Sequence, residues 1–110
     1  MVRWHLLHKG RAVDVAPSVY DVARRVAQHR RTNAYKIGYT NNPRMRLSKH
    51  REHYDEMIVL YQTRSLDSAL NMEAWLISEM WCSNDNAIGG GGGKVGEPPY
   101  FVYLVRCICA

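Results

Sequence analysis

The chain closes with "IGGGGGKVGEPPYFVYLVRCICA", where the only low-complexity run, Gly89 to Gly93, is followed within a few residues by the most strand-like segment of all. Tyr100 to Ile108 is filled with aromatic and β-branched residues, the composition of a pleated, packed strand. The glycines are then one of two things. Either they tether a dispensable tail, or they form a hinge that carries an essential strand back into the fold.

The remaining segments supply what such a strand could join. "AYKIGYT" reads as a short strand running into a turn at Asn41, Asn42 and Pro43, and "MIVLYQT" as a second strand. "SVYDVARRVAQHRR" predicts a helix capped by Ser18, after Pro17, with Val19, Val22, Ala23, Val26 and Ala27 on one apolar face. Pro43 is placed to start a second helix, "PRMRLSKHREH". "SLDSALNMEAWLISEMW" predicts a third, capped by Ser65. A loop runs from about Cys82 to Pro99, and "VRWHLL" is a weaker strand candidate. The expected class is α+β, with a small central antiparallel sheet of about three strands flanked by helices.

At 110 residues the chain is expected to form one domain, and 46% apolar against 23% charged residues fits an ordinary soluble protein. No apolar run reaches the roughly eighteen residues that span a bilayer, and "MVRWHLLHKG" is too short and polar for a secretory signal. Cys82, Cys107 and Cys109 are odd in number and form no C-x-x-C pair, so free thiols in a reducing cytoplasm are expected. Charge is more informative. Between Val22 and Arg51 there are nine basic residues (Arg24, Arg25, Arg30, Arg31, Lys36, Arg44, Arg46, Lys49 and Arg51) and no acidic one. From Glu52 to Asp85 seven acids face a single base, Arg64. A basic block of that length points to a polyanion, most often nucleic acid; a solvated basic face is the bland alternative.

Several residues could do chemistry. Arg46 and His50 lie four apart in the second predicted helix and so share a face, where they could grip a phosphate and handle a proton. Glu73 has Ala69, Leu70, Leu76 and Ile77 as its helical neighbours. A carboxylate there is costly to bury unless it is paired or binds a metal, and otherwise it reaches water. "GGGGGKVG" fails as a phosphate-binding loop, since Ile88 and Val95 stand where Gly and Ser or Thr are required. His50 and His53 have no third ligand converging on them by spacing.

These residues carry a resemblance. "YKIGYTNNPRMRLSKH" resembles the second motif of the GIY-YIG nucleases, in which Y-I-G-x-T is followed by an Arg eight residues past the Gly and a His four further on. Gly38, Thr40, Arg46 and His50 fill those positions. Glu73 matches the family's metal-binding Glu, and Asn86, before the glycines, its Asn; Asn84 is a weaker match. The family's first motif should precede the second, yet its best match, "YFVYLVRC" with Tyr103 on the motif tyrosine, stands at the other end. A circular permutation reconciles the order, with the glycines as connector. A rival alignment puts "RWHLLHKG" in the first-strand slot, with His5 replacing the tyrosine. The tyrosine of Y-I-G falls on Lys36, with Tyr35 one earlier; successive strand residues face opposite sides, so only one points into a site, and Lys36 is preferred.

The resemblance implies a standalone, metal-dependent DNA endonuclease. Glu73 would hold one Mg²⁺ (or Mn²⁺) on the phosphate and leaving oxygen. Arg46 would contact the scissile phosphate, while Tyr103, with His50 or Lys36, would orient or deprotonate the water. Positive charge from the basic block would lower the tyrosine's pKa. Arg24, Arg25, Arg30, Arg31, Thr40, Arg44, Lys49 and Arg51 are the candidate DNA contacts. A bare nuclease core is expected to favour branched DNA such as Holliday junctions, and symmetric cutting of a junction needs a homodimer. An inactive nucleic-acid-binding module and a sequence-specific restriction-type nuclease are the alternatives.

Overall fold

A computed structural model of the chain describes residues 1–4, 7–80 and 96–108. The elements are β1 (Val2–Arg3), β2 (His8–Lys9), α1 (Ala12–Ala27), β3 (Thr32–Thr40), α2 (Pro43–His50), β4 (Glu56–Thr63), α3 (Leu66–Glu79) and β5 (Tyr100–Ile108). The class is α+β, as the sequence predicts. The sheet, however, is mixed and five-stranded, not a purely antiparallel set of three. Its order is β1-β4-β5-β3, with β2 also beside β4. β5 is antiparallel to both neighbours, whereas β1 and β2 run parallel to β4. The two extra strands are two residues each, and they cover backbone groups that would otherwise form an open edge on β4.

The apolar continuity of the last strand has a direct cause. Tyr100 to Val105 are all buried because β5 is packed on both faces, and alternate residues enter different cores. Tyr100, Val102 and Leu104 join Tyr35, Ile37, Ile58 and Leu60 under α1 and α3. Phe101, Tyr103 and Val105 join Leu47, Met57 and Val59 under α2 and the N-terminal segment. Trp4 closes that second core edge-on against Phe101, with ring centroids 5.5 Å apart.

Local signals set most helix ends. Ser65 caps α3 by accepting from the Ser68 backbone N–H at 3.2 Å. Pro43 opens α2 behind an Asn42 cap, whose side chain accepts from the Met45 N–H at 3.2 Å. α2 ends at His50, three residues short of the predicted end. The start of α1 is a larger correction: it begins at Ala12, with Pro17 inside it and no side-chain cap at Arg11. The proline forfeits a bond to the carbonyl of the exposed Val13, which water can satisfy, while Ala12, Val15 and Ala16 gain contact with the core. Packing outweighs the break signal.

No helix among the described residues is long and apolar enough to cross a membrane. The Cys107 thiol donates to the His53 carbonyl; Cys82 and Cys109 lie outside the described residues.

The central position of β5 predicts that a chain ending before Phe101 shows no cooperative urea unfolding. Leu104→Ala, at a fully buried position, should cost about 2–5 kcal/mol in the same measurement.

Candidate active site

The candidate site is built around a hydrogen bond of 3.0 Å between His50 Nε2 and the Tyr103 hydroxyl. His50 comes from the last turn of α2 and Tyr103 from the middle of β5, 53 residues apart. Tyr103 is 2% exposed. Its ring lies over Gly38, its register partner on β3. A Cβ added at Gly38 would stand 2.6 Å from the ring carbon that bears the hydroxyl, and closer still to its oxygen. The glycine serves here as a flat floor for the tyrosine, not as a turn residue.

Lys36, Arg46 and Glu73 complete the cluster. Lys36 is two residues before Gly38 on β3 and so shares its face of the sheet. Tyr35 faces the other way, into the α1 and α3 core, where its hydroxyl donates to the Met80 carbonyl at 2.9 Å. The preference for Lys36 over Tyr35 agrees with this register. Glu73 belongs to α3, on the far face, but β3 is the edge strand, so no further strand separates the two layers there. Its carboxyl lies within electrostatic range of Lys36, Arg46 and Tyr103.

Burial and charge set the protonation states. The Tyr103 hydroxyl is pushed up to about 12 by burial, with Arg46 opposing and Glu73 reinforcing the rise. The expectation that basic neighbours lower this group is therefore corrected: desolvation outweighs Arg46, and the resting form is the neutral phenol. His50 moves the other way. Burial, then Lys36, Arg46 and His53, hold its imidazole below 6.5, so it is neutral at pH 7 and able to take a proton. The Glu73 carboxyl is raised by burial against the opposing pull of Lys36 and Arg46.

Other predicted residues fall elsewhere. Arg44, Lys49 and Arg51 are exposed on and just after α2, the same layer as His50. Thr40 is buried, and its hydroxyl accepts the Asn42 N–H at 3.0 Å, so it shapes the turn between β3 and α2 instead of offering a DNA contact. Arg24 and Arg25 project from α1, on the opposite face, and both pair with Asp21, at 3.2 and 2.6 Å. Arg30 and Arg31 are exposed in the turn before β3. The basic block is thus divided between the two faces of the sheet. Asn86, Asn84, His5 and the glycine run lie outside the described residues.

Tyr54 was not singled out in the sequence, yet its ring meets His50 edge-on with centroids 5.7 Å apart. Its position four residues after His50 is the signal that points to it. Among the described residues, no group of three or more His, Cys, Asp and Glu converges as a metal cage. No family model, characterised protein or solved structure matches this chain.

Two outcomes follow from this geometry. Gly38→Ala should displace the Tyr103 ring, cost roughly 1–3 kcal/mol in urea unfolding and remove the His50 hydrogen bond from the NMR spectrum. Because the folded imidazole sits below 6.5, the unfolded chain binds protons more readily between the two values, and stability falls as pH drops through 6.5. His50→Asn should weaken that pH dependence.

Proposed function

We propose that this protein is a metal-dependent DNA endonuclease of the GIY-YIG type with a circularly permuted strand order. The observation that carries the reading is the hydrogen bond joining Tyr103 of the last strand to His50 of α2, over Gly38 and beside Lys36, Arg46 and Glu73. Two cations, one carboxylate and a tyrosine–histidine pair form an arrangement suited to phosphodiester hydrolysis. In support of the permutation, β5 lies antiparallel between β3 and β4, the place that the first family strand would take.

In this mechanism Arg46 and Lys36 bind the scissile phosphate and balance the charge that builds on it. The attacking water is oriented by the Tyr103 oxygen. Its proton passes to the phenol as the phenol's own proton moves to His50 Nε2, a relay that needs no free phenolate. The water oxygen bonds to phosphorus, the P–O3′ bond breaks, and the 3′ oxygen takes a proton from solvent. Glu73 is the residue that would hold Mg²⁺ or Mn²⁺. One half-buried carboxylate beside the phosphate-binding cations suits an ion whose other ligands are waters and phosphate oxygens. Such an ion, when bound, supplies Lewis-acid stabilisation of the leaving oxygen.

Branched DNA is the finer form of this proposal, with a homodimer needed for paired cuts. Linear, flapped, nicked and four-way-junction DNA, incubated with and without Mg²⁺, test it. Mg²⁺-dependent cleavage is expected, fastest on branched forms. Binding without cleavage on every substrate would instead make the chain a binding module, and cleavage only at a short sequence would make it a restriction-type enzyme. Glu73→Ala should abolish cleavage and keep DNA binding. Tyr103→Phe should slow cleavage about 10²–10⁴-fold. The rate should rise with pH as His50 loses its proton, with a midpoint below 6.5.

A further inference from the structure

A second basic site lies on the opposite face of the sheet from Tyr103. Arg3, Val22, Arg25, Val26, His29 and Arg106 line a cavity of about 330 Å³ between the end of α1 and the strands β1 and β5. Arg106 is its fixed element. The side chain is only 11% exposed; its Nε donates to Glu56 Oε1 at 2.9 Å and its Nη1 to the Thr32 hydroxyl at 3.0 Å. Nη2 bonds nothing among the described residues, and no side-chain nitrogen or oxygen there is both buried and unbonded. Nη2 is therefore open, on a guanidinium already locked in place.

The lining holds three arginines and a histidine and no acidic residue. A single oxygen of Glu56 serves both Arg3 and Arg106, at 3.2 and 2.9 Å. Asp21 serves both Arg24 and Arg25, with one carboxylate oxygen to each. His29 Nδ1 accepts the Arg31 backbone N–H at 3.1 Å, which leaves the ring's N–H on Nε2 as a donor. A cation in the last turn of a helix, such as Arg25, is favourable without any ligand. That explanation does not extend to Arg106, which belongs to a strand.

We propose that this cavity is a seat for a phosphate group, separate from the Tyr103 cluster and independent of the nuclease reading. A locked guanidinium with an open nitrogen, a second arginine and a ring N–H match the acceptor-only surface of a phosphate. Val22 and Val26 provide an apolar wall for whatever the phosphate carries. The volume lies at the small end of ligand pockets, which run to about 300–1,000 Å³. A nucleic-acid phosphodiester and a free mononucleotide share this chemistry.

The test is an NMR titration of the intact chain at constant ionic strength, following the Arg106 Nε–H and His29 ring resonances. Inorganic phosphate, adenosine 5′-monophosphate and a short DNA duplex are the three probes. At least one should give a saturable shift, and Arg25→Ala with His29→Ala, both at exposed positions, should weaken it about tenfold or more. Saturation by the mononucleotide marks a small-molecule seat; saturation by the duplex alone marks a backbone seat. Absence of a saturable shift with all three probes, or an unchanged affinity in the double variant, overturns the proposal. So does loss of the shift in Arg46→Ala, which would trace it to the other face.

Discussion

β5 is hydrogen-bonded on both of its edges and buried on both of its faces, and the other elements take their places from it. β3 and β4 meet only through it. The α1 and α3 core and the α2 core each receive alternate side chains from it. Tyr103 is one of those side chains, so the position of the candidate chemistry is fixed by the same pairing that holds the fold together. A residue 2% exposed at the centre of a sheet has little freedom to move. That rigidity suits the proton-transfer role proposed for it, which needs a geometry held to within a fraction of an ångström.

The cost of that placement is electrostatic. Burial keeps Tyr103 from ionising and His50 from protonating, so the pair rests as two neutral groups amid Lys36 and Arg46. The cations do not generate a phenolate. In the proposed mechanism they attract a phosphate to the rim of this buried, neutral pair. The proposed mechanism thus assigns attraction to Lys36 and Arg46, and proton transfer to Tyr103 and His50, with α2 supplying one residue to each task.

Much of this was legible in the sequence where one short-range signal dominates. Tyr100–Ile108 is a strand at the bounds its aromatic and β-branched run predicts, and Ser65 caps α3. Arg46 and His50 share a helix face, as their spacing requires. The misreadings occur where a distant partner decides. Pro17 looks like a boundary, but core contacts made by Ala12, Val15 and Ala16 carry α1 past it. β1 takes up only the first two residues of the weaker strand candidate "VRWHLL", β2 carries no composition signal, and both pair with the edge that β4 offers. Arg24 and Arg25 appear continuous with Arg44 and Lys49 in the sequence, and only the sheet puts them on opposite faces. The sharing of Glu56 by Arg3 and Arg106 joins residues more than a hundred positions apart, and no local pattern announces it.

The order of synthesis gives the central strand one more consequence. β5 is made after every other element of this sheet, so a growing chain carries β3 and β4 with the slot between them empty. An incomplete chain lacks both the strand that closes the slot and the tyrosine that completes the cluster. Folding and assembly of the site therefore become possible at the same moment, and prematurely ended products should be inert and readily degraded.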